Sequence, residues 1–142
     1  MTACIFCKIV EGSAPVSKVY EDGMCLAFMD IQPVNPGHVL VIPKEHFSDL
    51  SSLPAETGGH LFQVAQRIAL SMPKTDVKNE GIDFFLANGE AAGQDVFHVH
   101  LHVIPRYKND GFGFKFSPQY DILPERSELD AIASQIKQQL EK

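Results

Sequence analysis

Hydrophobic positions along the chain fall into two periods. Short strand-like runs at Val19-Tyr20 and Met24–Phe28 flank Glu21-Asp22-Gly23, and an Asp-Gly pair between such runs predicts an antiparallel hairpin. After a loop punctuated by Pro33, Pro36 and Gly37, His38-Val39-Leu40-Val41-Ile42 predicts a buried strand stopped by Pro43. Leu61, Val64, Ala65, Ile68 and Ala69 recur at helical spacing between Pro54 and Met72, which predicts the main helix, although Gly58 and Gly59 weaken its first half. Ile82–Ala87 predicts a further strand. Cys4–Val10, closed by Gly12 and Pro15, makes one or two helical turns, and Leu129, Ile132, Ala133, Ile136 and Leu140 line one face of a C-terminal helix started by Ser127 and Asp130. The Gly- and aromatic-rich piece Tyr107–Phe114 takes no regular element, and no repeat or low-complexity tract interrupts the chain.

The sharpest pattern runs from Val96 to Ile104. Phe97, Val99, Leu101 and Val103 alternate with His98, His100 and His102, so a strand there packs one face into the core and displays three imidazoles on the other until Pro105 ends it. A plain polar face is one reading. A metal site using His98 and His100 is a second, although along a strand His98 and His102 lie about 13 Å apart, too far to share one ion. Nucleophilic catalysis is the third: a neutral imidazole attacks while its neighbours hold its tautomer and stabilise developing charge. Only this reading uses all three positions, and it gives the small residues Ala92-Gly93 before Gln94 a purpose, since they let backbone N–H groups approach an anion.

Composition narrows the partners. With 142 residues and 44% hydrophobic content, the chain suffices for one ordinary core. A formal charge of −6 and a pI near 5.4 argue against a nucleic-acid surface, which needs clustered Lys and Arg. No apolar stretch reaches membrane-spanning length, and the segment from Met1 to Lys8 has no signal-like pattern, which together predict a cytoplasmic protein. Three cysteines are too few for a disulfide scaffold and fit a reducing compartment. Cys25 lies in an apolar run and is expected in the core, and His60 on the helix surface.

His98-Val99-His100-Leu101-His102-Val103-Ile104 resembles the His-φ-His-φ-His-φ-φ signature, φ being apolar, of the histidine-triad (HIT) superfamily of nucleotide hydrolases and transferases. Ile5–Ile9, Ala27–Ile31, Gly37–Lys44 and Asn88-Gly89 through Gly93-Gln94 follow in family order, so the likeness covers most of residues 4 to 106. The resemblance implies an α+β fold: a mainly antiparallel sheet of about five strands, a long central helix and a C-terminal helix. It implies a single domain over residues 1–142, with its core at 4–106 and a loop and helix at 107–142, that forms a homodimer with the two sheets joined.

For function, the resemblance implies that His100 attacks the α-phosphate of a purine nucleoside phosphoramidate or dinucleoside polyphosphate, giving a nucleotidyl-histidine that water cleaves, with no catalytic metal. The carbonyl of His98 would hold His100, His102 would meet the phosphate or leaving group, and His38 would support them. Gly93, Asn88, Gln94 and the Val96 amide would line the phosphate position. Asp30 would bind the ribose, and Ile5, Phe6, Ile9, Phe28 and Ile31 would form a slot for the base. Most folds would bury Phe28 and Ile31 regardless, and Asn88 before Gly89 serves equally as a turn residue. Where the family carries Ser or Thr, this chain has Asp95, whose carboxylate would repel a phosphate; as a hypothesis, it tunes the leaving group or donates a proton. A binding or scaffold protein with little turnover is the competing class.

Cys4-Ile5-Phe6-Cys7 is half of a tetrahedral zinc site. A redox pair and two core thiols are its rivals. Some bacterial relatives with this pair and a Pro-Lys-x-His segment, here Pro43-Lys44-Glu45-His46, bind a structural zinc. That resemblance implies Cys4, Cys7, His46 and His98 as ligands of a closed site.

Overall fold

The structure is a computed structural model that describes residues 4–142; the reading of Met1 to Ala3 lies outside them. The chain divides into two compact units, Met1–Gly111 and Phe112–Lys142. The first is an antiparallel sheet with helices, the α+β class expected. Its strands are β1 (Lys18–Glu21), β2 (Cys25–Met29), β3 (Val39–Pro43), β4 (Gly81–Phe85) and β5 (Leu101–Arg106), in the order β1-β2-β3-β5-β4 with every neighbouring pair antiparallel. Helix α1 is Ile5–Glu11 and helix α2 is Ala55–Ser71.

β2 and β3 carry near-continuous apolar runs because both faces of the sheet are covered. Cys25, Ala27, Val39, Val41, Val99, Leu101 and Val103 pack with Leu61, Val64, Ala65 and Ile68 of α2. The intervening residues Leu26, Phe28, Leu40 and Ile42 pack with Phe6 and Ile9 of α1. Two glycines cost a helix about 2 kcal/mol relative to alanine, whereas each fully buried Leu, Val or Ile contributes roughly 1.5–3 kcal/mol. The buried stripe therefore outweighs Gly58 and Gly59, and α2 starts at Ala55 as one continuous helix.

The hairpin corner is fixed by Asp22, whose Oδ1 accepts from the backbone N–H groups of Met24 and Cys25, each at 2.8 Å. Its Oδ2 accepts from the Tyr20 hydroxyl at 2.9 Å and lies 2.6 Å from His60 Nε2 on α2. His60 is thus a tie between helix and hairpin rather than a bystander. Burial opposes the Asp22 charge, but the hydrogen bonds outweigh it and hold this carboxyl well below the ordinary range.

Two expectations about the histidine segment need correction. The strand begins at Leu101, and residues 96–100 approach it as irregular backbone in which Val99 N–H donates to Phe47 O at 2.8 Å. Alternation consequently holds from Val99 onward but fails before it: Phe97 is 47% exposed and His98 is fully buried. Pro105 does not end the strand. Beyond Val103 only β4 pairs with β5, so a residue without N–H is tolerated there, and the Pro105 carbonyl accepts from Asn35 Nδ2 at 2.9 Å.

The second unit contains α3 (Arg126–Leu140), and its N-terminal box is Glu125 with Glu128, two residues earlier than the Ser127–Asp130 pair suggests. Phe116 stacks on Tyr120 at 3.9 Å in the segment before it. Among the described residues no helix is long and apolar enough to cross a membrane.

Candidate active site

The face of the sheet toward α1 holds a cavity of about 620 Å³, a size typical of small-molecule sites. Ile5, Phe6 and Ile9 of α1 with Phe28 and Leu40 form its apolar side, and Asp30, Asp95, His100 and His102 its polar side. Register explains the grouping. Leu40 pairs with both Phe28 and His102, so the three residues share that face. Ile31 also lines the cavity and is 98% exposed, so it is not the buried residue that most folds would make of it. An isoleucine left bare at the rim of a pocket has no packing role to explain it.

Hydrogen bonds to groups that only donate or only accept fix the protonation of each imidazole. His100 Nδ1 lies 2.8 Å from the carbonyl of His98, so Nδ1 carries a proton, and in the neutral ring Nε2 keeps the lone pair. Val34 N–H donates to His38 Nδ1 at 3.0 Å. His38 therefore carries its proton on Nε2, which lies 2.8 Å from His102 Nδ1 and 3.5 Å from Asp30 Oδ2. His102 Nδ1 must accept, which leaves its proton on Nε2. Burial, helped by the proximity of His100 and His38, pushes His102 down to about 4, and burial also lowers His38 against the pull of Asp30. Both are neutral at physiological pH.

Gly37 precedes His38 with φ of +101°, and a Cβ there would meet Val77 Cγ1 at 2.6 Å. Only glycine turns the chain into β3 at this point. Phe6 meets His100 edge to face at 5.2 Å and Phe28 at 5.5 Å, joining α1 to the histidine row.

The loop before the triad behaves differently from expectation. Gln94 is buried and its Nε2 donates to the carbonyls of Ser48 and Val96 at 2.7 and 3.1 Å, while its Oε1 accepts from Gly89 N–H at 2.8 Å. Asn88 Oδ1 accepts from Leu50 N–H at 2.7 Å. Neither side chain lines the cavity, nor does Gly93, which has φ of +95°; these residues shape the loop. Asp95 and Val96, held by that loop, do line the cavity, and Asp95 Oδ1 lies 3.8 Å from His100 Nε2.

His98 looks the other way. Its Nε2 lies 2.8 Å from the Pro43 carbonyl, so its proton is there and Nδ1 is bare. That nitrogen lies 3.5 Å from Cys4 Sγ, 3.6 Å from Cys7 Sγ and 3.2 Å from His46 Nδ1, and Cys7 Sγ lies 3.2 Å from His46 Nδ1. Tetrahedral zinc with ordinary Zn–N and Zn–S lengths needs separations of about 3.3 Å between nitrogens and about 3.6 Å between nitrogen and sulfur. The four donors, all within 4.8 Å of one another, meet that requirement closely. Burial and the adjoining Cys4 thiol push Cys7 up to about 11, a shift that a bound divalent cation reverses. Cys4 Sγ also accepts from Cys7 N–H at 3.4 Å, capping α1, so one short helix carries both thiols and part of the cavity wall. Cys25 is buried in the core, as expected.

The pattern of the HIT domain family matches residues 11–109. A HIT family protein from Bacillus anthracis is 46% identical, with a TM-score of 0.86 and 97% of each chain covered. A Zn-bound histidine triad family protein from Mycobacterium smegmatis is 39% identical, with a TM-score of 0.75 and 96% of each chain covered. The adenosine 5′-monophosphoramidase hnt1 of Schizosaccharomyces pombe is 36% identical over 139 residues, 97% of this chain and 98% of that protein.

Proposed function

Because this chain belongs to the HIT family, whose known members include nucleotide hydrolases, we propose that it hydrolyses or transfers purine nucleotides through a covalent nucleotidyl intermediate on His100. One observation carries the reading: the His98 carbonyl holds the protonated Nδ1 of His100 and turns its Nε2, the nitrogen that bears the lone pair in the neutral ring, to the cavity. The lone pair of Nε2 forms the bond to the α-phosphorus as the bond to the leaving group breaks. The imidazolium that results keeps its Nδ1–H on the carbonyl, which stabilises the new charge. Water then cleaves the N–P bond and restores the neutral ring.

His102 has its Nε2–H to offer to the phosphate or the leaving group, in the tautomer that His38 imposes. Asp30 receives the ribose hydroxyls, and the wall of Ile5, Phe6, Ile9, Phe28 and Ile31 takes the base. The Val96 amide meets the phosphate, with Asn88, Gly93 and Gln94 shaping the loop that presents it. Cys4, Cys7, His46 and His98 hold a structural zinc, supported by the fit of their spacing and by the zinc-bound mycobacterial relative. Bound there, the ion ties α1 to the histidine segment and has no open position for substrate. The same reading extends to a homodimer and to a reducing, cytoplasmic setting in which both thiols are available to metal.

The test is to mix the protein with an adenosine phosphoramidate or a dinucleoside polyphosphate, quench, and locate the adduct by mass spectrometry. A nucleotide on His100 is the expected result. Parent protein with neither adduct nor turnover overturns the reading in favour of a binding module.

A further inference from the structure

The cavity asks for a substrate poor in negative charge. Among the described residues no lysine or arginine lines it, whereas two carboxylates, Asp30 and Asp95, do. Lys8 and Lys18 adjoin lining residues in sequence without lining the cavity themselves; Lys18 and Lys44 pair with Glu21 at 2.9 and 2.8 Å, and Arg106 with Asp83 and Asp110 at 2.6 Å each. Of the two imidazoles that share the wall, His102 is held neutral by burial and adds no positive charge. A polyphosphate leaving group brings several negative charges to this place with nothing to pair them.

Asp95 sharpens the point. Its side chain is 84% exposed, and Oδ1 stands 3.8 Å from the attacking nitrogen of His100. Among the described residues its carboxylate accepts no hydrogen bond from the protein. An oxygen placed that close to the nucleophile lies beside the phosphorus that Nε2 will bond, within reach of the phosphorus substituents.

Resting on the proposed His100 chemistry, we propose that Asp95 is a leaving-group selector that favours nucleoside phosphoramidates of primary amines over dinucleoside polyphosphates. P–N cleavage proceeds with the bridging nitrogen protonated, the proton coming from solvent, so the reacting group is a zwitterion with a cationic N–H beside an anionic phosphoryl group. Asp95 accepts a hydrogen bond from that N–H. The His100 Nε2 lone pair forms the new N–P bond, the P–N pair departs with the amine nitrogen, and a neutral amine leaves. Charge balances, since the positive charge lost by the nitrogen appears on the His100 ring. The same carboxylate faces a departing polyphosphate with like charge, which costs about a factor of ten or more at such separations.

The experiment compares parent protein with Asp95→Asn and Asp95→Ser on two substrates that leave the same adenylyl group on His100: the adenosine 5′-phosphoramidate of the lysine ε-amine, and diadenosine tetraphosphate. Parent protein is expected to prefer the phosphoramidate in kcat/KM by about 100-fold, and both variants to shrink that preference at least about tenfold. The loss on the amine should fall in kcat. Added salt should raise parent turnover of the tetraphosphate and leave that of Asp95→Asn flat, a response that a merely structural role would not produce. An adenylyl-His100 adduct with the same preference in all three proteins overturns the role of Asp95 alone. Absence of both adduct and turnover with both substrates overturns the His100 reading and the selector with it.

Discussion

Two clusters of histidine meet at His98, and they are built to opposite purposes. On one side, Cys4, Cys7, His46 and His98 converge on a single point, each offering a lone pair or a thiol, with spacings of 3.2 to 3.6 Å around the bare His98 nitrogen. On the other, His100, His102 and His38 form an open row, with the His98 carbonyl setting the tautomer of His100 and His38 that of His102, and end at a cavity. Convergence closes a site and a row leaves one open. The difference turns on which ring nitrogen meets a carbonyl: Nε2 of His98 on Pro43, and Nδ1 of His100 on His98. Two identical side chains two residues apart are thereby turned into a ligand and a nucleophile.

Removing one member from each cluster should separate them. His100→Asn is expected to lower kcat by about 10⁴-fold and abolish the adduct, while zinc content by elemental analysis stays at that of the parent. Loss of zinc in this variant would join the two clusters into one. Cys7→Ser should do the reverse, losing the metal and at least about 3 kcal/mol of stability in urea unfolding. A metal-free preparation as stable as the parent contradicts the closed site.

A smaller effect comes from His102, which is held at about 4 when folded against about 6.5 when unfolded. Below pH 6.5 the unfolded chain takes up a proton that the folded chain refuses. Stability is therefore complete above 6.5 and declines as the pH falls toward 4, by up to about 3 kcal/mol before solvent screening of the part-exposed ring reduces it. In His102→Gln the urea midpoint should fall less steeply across that window. An unchanged slope would mean that burial is not what holds the ring neutral.

The sequence disclosed these clusters unequally. The strands, the long helix and the alternation from Val99 to Val103 were legible because both faces of the sheet are packed, and period two survives wherever a ladder continues. It misled at Phe97 and His98, where the backbone leaves the sheet to bond Phe47, a tertiary event without a local signal. Asn88 and Gln94 are ambiguous for a related reason, as polar loop residues read alike whether they meet a ligand or, as in this structure, a neighbouring backbone. Ile31 runs opposite: an apolar residue that most folds would bury stands bare at the rim of the cavity. For His60 the sequence holds a signal in the Asp-Gly hairpin, whose carboxylate seeks donors. The Cys-x-x-Cys pair was visible as half a site, but no spacing rule brings residues 7 and 46 together; packing of α1 beside β3 does.

The most direct test of the divided histidines is a ¹⁵N NMR assignment of the ring nitrogens in the intact protein. The account expects His100 protonated on Nδ1, and His98, His38 and His102 protonated on Nε2, with His98 Nδ1 shifted by metal. A proton on His100 Nε2 would leave no lone pair at the cavity and would contradict it.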